Sequence, residues 1–130
     1  MKSRLLPAVV LATALFTAAS ATYAHHGTAG YDMSKVITVK GTVTKFDWSN
    51  PHCVIYVDAK GENGDVQHWA LELGAPTHMT RAGWTKSSIK PGDAIAADTH
   101  PAANGATIGT TGMQSSVLKV VVNGVTLSTK

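Results

Sequence analysis

Two adjacent histidines, His25 and His26, a third at His52 and the carboxylate of Glu72 are the side chains of this 130-residue chain best suited to holding a metal ion. If His25 is the first residue of a processed chain, its imidazole and the free α-amino group make a two-nitrogen chelate. A second imidazole, from His26 or His52, and an oxygen of Glu72 would complete the donor set. Nitrogen-rich sets of this kind favour Cu(II) among first-row divalent ions, with Zn(II) behind it. If the chain is cut elsewhere, the same pair is a polar tail of the kind that chain ends commonly carry.

The answer depends on the leader. Lys2 and Arg4 precede LLPAVVLATALFTAA, an apolar run of about 15 residues that gives way to small residues, the three-part pattern of a secretory signal peptide. A membrane span needs roughly 20 apolar residues, so no stable membrane insertion is expected after cleavage. Two cleavage points fit. Ala19-Ser20-Ala21 has the A-x-A form and leaves Thr22 first, whereas cleavage after Ala24 leaves His25 first. Residues 1–24 are taken as the leader and 25–130 as one domain, exported to the periplasm or secreted.

Removal of Lys2 and Arg4 leaves nine basic against eight acidic residues, so the formal charge falls from +3 to +1. The basicity belongs largely to the leader, which excludes nucleic acid as an expected partner. The partner expected is a metal ion or a small ligand of the cell envelope; nothing in the sequence speaks to oligomeric state. The single Cys53 excludes an internal disulfide. Between His52 and Val54 it reads as a small buried hydrophobe rather than a reactive thiol.

Five strand-like runs position these groups. In VITVKGTVTKF, residues 36–46, Ile37, Val39, Gly41 and Val43 alternate with polar residues, the period of a strand with one buried face. Gly41 in its middle suggests a bulge or a tight bend, as at a barrel corner. Asn50-Pro51 punctuates the turn DWSNPH. CVIYVD (53–58) and VQHWALEL (66–73) are strands joined by the turn-rich KGENGD. GAPTHMTRAGW (74–84) reads as a short helix that opens on Pro76 and stops at Gly83. AIAADTH (94–100) is the fourth strand, PAANGATIGTTG (101–112) a loop and SSVLKVVV (115–122) the fifth strand, with Asn123-Gly124 starting a terminal hairpin. Three strands, a helix and two strands is the order of an OB-like five-stranded Greek-key barrel, with a β-sandwich as the alternative.

A hairpin that turns around residue 62 pairs position i near 124 − i, so that His52 lies close to Glu72 and Tyr56 close to His68. Paired residues of this kind have Cβ atoms about 4.5–5.5 Å apart. Alternation puts Cys53, Ile55, Val57, Trp69, Leu71 and Leu73 on the core face. His52, Val54, Tyr56, His68, Ala70 and Glu72 then share the other face, an imidazole beside a carboxylate. A surface hydrogen bond that merely steadies the turn is the plainer reading of that pair.

The remaining candidates are unspecific. His78 falls on the short helix and His100 at a loop entry, and no spacing matches a zinc motif. DAKGENGD lacks the ligand positions of a calcium loop. No nucleophile with an elbow or triad signature appears, so an enzyme is not expected. The leading expectation is a binding module that holds copper through His25, His26, His52 and Glu72. The alternative is a peptide- or glycan-binding adaptor that uses Phe46, Trp48 and Tyr56 as a surface and holds no metal.

AHHG at 24–27, KGTVTKFDWSNPH at 40–52, WALELGAP at 69–76 and RAGWTKSSIKPGD at 81–93 resemble a family of small exported proteins of Gram-negative bacteria, catalogued as a domain of unknown function. The likeness runs from Ala24 to about the fifth strand. The family pattern has Ser after the two histidines, where Gly27 stands here. The resemblance implies a periplasmic β-rich domain processed just before the histidine pair, and it carries no activity with it.

Overall fold

The computed structural model describes residues 27–113 and 116–127. The leader read over residues 1–24, and with it His25 and His26, lies outside the described residues. The described strands are β1 (Ile37–Asp47), β2 (Val54–Lys60), β3 (Val66–Glu72), β4 (Ala94–Pro101), β5 (Ile108–Thr110), β6 (Gly112–Met113), β7 (Ser116–Val117), β8 (Val120–Val122) and β9 (Val125–Thr126). A short helix, α1 (Pro76–Arg81), joins β3 to β4. Strands run in the order β1-β2-β3-β5-β4, and β4 returns to β1, so five strands close a barrel; β8 and β9 extend it from β4. The β3–β5 pair is parallel and the other barrel pairs are antiparallel. The fold is the expected OB-like barrel.

Closure depends on β1. Its first half pairs with β4 over Ile37–Thr42 and its second half with β2 over Gly41–Asp47. Gly41 lies in both ladders, opposite Ala59 and Ile95. A Cβ there would collide with the Asp58 carbonyl oxygen, so only glycine lets the strands approach this closely. The bend expected at Gly41 is present, but the bulge lies further on. The register shifts between Val43 and Lys45, and that extra residue reverses which side chains point inward. Val39 and Val43 are buried before it, whereas after it Phe46, opposite core residue Ile55, packs on the core.

Inside the barrel, Val43, Ile55, Val57, Leu71, Leu73, Ile95, Ala97 and Val120 form the core with Met79 and Trp84 from the α1 region. Pro76 opens α1 and Gly83, at φ +87°, ends it, because the left-handed region is open to glycine without a Cβ clash. Asn123 (φ 49°) and Gly124 (φ 81°) make the tight turn between β8 and β9.

Two expectations are corrected. The barrel is closed not by a strand over residues 115–122 but by β5, from within the stretch read as a loop. Only three residues long, β5 has Gly109 as its one core-facing position, opposite Leu71. A side chain there would run into that of Thr99, so the stretch shows no apolar alternation. Of the expected fifth strand, Val120–Val122 pairs with β4 at Ile95–Ala97. The β2–β3 register is also two residues from the expected one. Gly61–Asp65 form a five-residue connection closed by Gly61 N–H donating to the Asp65 carbonyl at 2.8 Å, with Gly64 at φ +84°. Glu72 therefore lies opposite Val54, Tyr56 opposite Ala70, and His68 opposite Asp58. A shift of two leaves the faces unchanged.

Thr99 is fully buried, and its hydroxyl has no partner among the described residues. An unpaired buried hydroxyl costs about 1–3 kcal/mol, while valine has nearly the same shape. Thr99→Val is therefore expected to raise stability by about 1 kcal/mol, or roughly 4 °C in Tm, in a thermal melt; a lower Tm would show that the hydroxyl is bonded. Cys53 is fully buried too, and burial pushes its thiol up to about 11. The protonated thiol favours the fold below the ordinary thiol value, and that contribution is lost as pH rises through about 11. Native protein is expected to ignore Ellman's reagent at pH 8 and to react once unfolded.

Candidate functional site

An open cleft of about 650 Å³ lies on the outer face of the barrel. One wall is a strap that runs from Gly27 into β1, contributing Gly27, Ala29, Gly30 and Tyr31. Pro51 and His52, from the β1–β2 connection, form a second wall. Ala102, Asn104 and Ile108, from the β4–β5 connection and the start of β5, form a third, and Glu72 at the end of β3 lies between them. No lysine or arginine among the described residues lines the cleft, whose lining holds one carboxylate, Glu72, and one imidazole, His52.

The strap is held by backbone bonds that its own sequence makes available. Thr28–Gly30 form one 3-10 turn, and Tyr31 N–H donates to the Thr28 carbonyl at 3.0 Å. Tyr31 then bridges to Ala102 as in an antiparallel ladder. Asp32 N–H donates to the Pro101 carbonyl at 2.8 Å, and Ala103 N–H donates to the Gly30 carbonyl at 3.0 Å. Further along, His100 Nδ1 donates to the Lys35 carbonyl at 2.7 Å; a carbonyl only accepts, which assigns the proton to that nitrogen. The Ser34 hydroxyl and N–H both donate to the Asp32 carboxylate, and they hold that carboxyl below its usual range. His100, read from the sequence as an unspecific loop histidine, is thus a fastener of the strap.

Under the strap the ladders align Glu72, Thr110 and His100 side by side across β3, β5 and β4. Thr110 is only 2 % exposed although it is on the outer face. The Tyr31 hydroxyl donates to Glu72 Oε2 at 2.6 Å, a short bond of the charge-assisted class. Burial first, and then the bond to Glu72 and its charge, push the Tyr31 phenol far above its ordinary value.

His52 and Glu72 face the same cleft, as expected, although β2 starts only at Val54 and His52 is not a ladder partner of Glu72. Instead, Cys53 and Leu73 carry the pairing beyond the strands: Leu73 N–H donates to the Cys53 carbonyl at 2.8 Å, and Cys53 N–H to the Gly74 carbonyl at 3.0 Å. Among the described residues no group of three or more His, Cys, Asp and Glu side chains comes together as a metal site. His52 and Glu72 alone would be half a donor set. His68 pairs instead with Asp58, Nδ1 to Oδ1 at 2.6 Å, on the exposed surface.

The aromatic trio does not form one surface. Phe46 and Trp48 meet edge to face, centroids 5.7 Å apart, and pack against the core. Tyr56 lies on the opposite face of the sheet, with the Lys45 ammonium 5.5 Å from its ring. The bulge after Val43 is the reason, since it turns Phe46 inward and Lys45 outward. Tyr31 and Asn104 line the cleft but were not among the residues singled out from the sequence. Tyr31 contacts Glu72 across 41 positions, a separation over which periodicity carries no signal.

Because the folded state favours the protonated phenol, Tyr31 contributes stability in full below pH about 10, its unfolded value, and loses it as pH rises through the folded value. In an alkaline titration followed at 295 nm, one tyrosine is expected to ionise well above the ordinary range. Glu72→Gln is expected to bring that step to lower pH by removing the charge. An unchanged curve would mean that Tyr31 and Glu72 are not in contact.

No curated protein and no solved structure matches the chain. A family model described as a family of unknown function, DUF6152, matches residues 12–113. The match takes in all five barrel strands and every wall of the cleft. This chain belongs to the DUF6152 family.

Proposed function

We propose that this is an exported binding module, periplasmic or secreted, whose cleft takes a transition-metal ion, copper(II) before zinc(II). The ligands are His25 and His26 from the chain end with His52 and Glu72 from the barrel. The carrying observation is the strap. The wall facing His52 and Glu72 begins at Gly27, the residue that directly follows His25 and His26 in the sequence. One further feature supports the reading: among the described residues the cleft's lining contains a carboxylate and no lysine or arginine, which favours a cation.

Processing after Ala24 would add the α-amino group of His25 to the donors. Imidazole and amine must shed protons to bind, so affinity falls as pH falls. The activity proposed is binding, with no catalytic step. The test is a Cu(II) titration, followed by electron paramagnetic resonance, of protein processed by its own signal peptide and with its N-terminus checked by mass. One equivalent with a nitrogen-rich signal is expected, weakened by about tenfold or more in His52→Ala and in Glu72→Ala. Binding indifferent to both substitutions would assign any copper to the chain end alone and refute the site.

A further inference from the structure

From Gly27 onward the cleft has a chemistry of its own. At about 650 Å³ it falls in the range of clefts that take small organic molecules, roughly 300–1,000 Å³. Most of its lining is small or apolar, from the glycines and Ala29 of the strap to Ala102 and Ile108. Ile108 is 41 % exposed, a large aliphatic side chain left bare. It lies opposite Ala70, two residues before Glu72 on the same face of β3. The cleft therefore sets uncovered apolar surface beside a half-buried carboxylate. A carboxylate in such surroundings attracts opposite charge more strongly than one in open water. Tyr31 holds it in place through the 2.6 Å bond to Oε2, and both carboxylate oxygens keep lone pairs for a ligand.

The walls are set without a ligand. The strap bonds to the β4–β5 connection at Pro101 and Ala103. That connection is itself closed, with Ala102 N–H donating to the Ile108 carbonyl at 2.8 Å and Ala106 N–H to Asn104 Oδ1 at 3.0 Å. A preformed cleft loses little affinity to ordering.

We propose that this cleft binds a small organic ammonium ion, with the protonated amine on the Glu72 carboxylate and the apolar body against Ile108 and the small residues of the strap. A cation that carries its own apolar body matches both the charge and the walls, and it needs no shell of protein ligands. The proposal does not rest on the copper reading and uses no residue before Gly27.

The experiment follows backbone amide shifts by NMR in the full processed chain, kept metal-free with a chelator. The probes are benzylammonium, benzyl alcohol as its neutral counterpart and benzoate as its anionic one. Saturable shifts in the strap and the β4–β5 connection are expected with benzylammonium, at an affinity at least about tenfold above that of benzyl alcohol, and none with benzoate. Glu72→Gln keeps the side-chain shape and removes its charge, so benzylammonium and benzyl alcohol are expected to bind alike. Ile108→Lys alters an exposed position and sets the protein's own ammonium in the cleft, which is expected to weaken benzylammonium about tenfold or more. Near-ultraviolet circular dichroism verifies that both variants are folded. Equal affinity for the three probes, a preference for benzylammonium that survives Glu72→Gln, or no saturable shift would each overturn the proposal. Copper uptake without benzylammonium binding would overturn it and leave the copper reading standing. Benzylammonium binding in a chain that takes up no copper would support it and refute the copper reading alone.

Discussion

At Gly41 one residue is paired to two neighbours, Ala59 of β2 and Ile95 of β4, and the rest of the structure follows from that double pairing. A strand edge left open would expose unpaired N–H and C=O groups, and a closed barrel removes it. Closure requires β1 to bend enough to serve β2 with one half and β4 with the other. The bend is possible only where no Cβ intrudes on the Asp58 carbonyl. Once β1 is shared, β3 and β4 are left to be bridged, and the three residues of β5 fill that gap as the single parallel pairing of the barrel.

The cleft is a product of the same closure. At the seam where β3, β5 and β4 meet, the three-residue β5 bridges the ends of the other two, and the outer face there carries Glu72, Thr110 and His100 in a row. Such a row needs cover or partners. The strap supplies both, with Tyr31 over Glu72 and the Lys35 carbonyl on His100. The site is therefore made of barrel on one side and of the strap on the other.

Charge and burial work in the same direction there. The one carboxylate is half-buried, accepts a hydrogen bond from the Tyr31 phenol and has no lysine or arginine lining the cleft among the described residues. A negative group kept this way retains its capacity to attract a cation, whereas a lysine or arginine beside it would have satisfied it internally. The Asp58–His68 pair shows the contrast. It is just as short, at 2.6 Å, but it is exposed on the hairpin.

Local sequence determined a large part of this protein. Alternation in 53–58 and 66–73 sets which residues face the core, because side chains of a strand point to opposite sides in turn. Pro76 and Gly83 bound the helix, and Asn123-Gly124 turns the last hairpin, through their backbone conformations alone. What only the tertiary structure decided has one physical root: it depends on contacts between residues far apart in the chain. The bulge after Val43 separates Phe46 from Tyr56 because two strands must stay in step around a bend. The identity of β5 is hidden because Gly109 is dictated by Thr99, a partner ten positions earlier. Tyr31 meets Glu72 because the strap crosses the barrel, and no periodicity within either segment encodes that crossing.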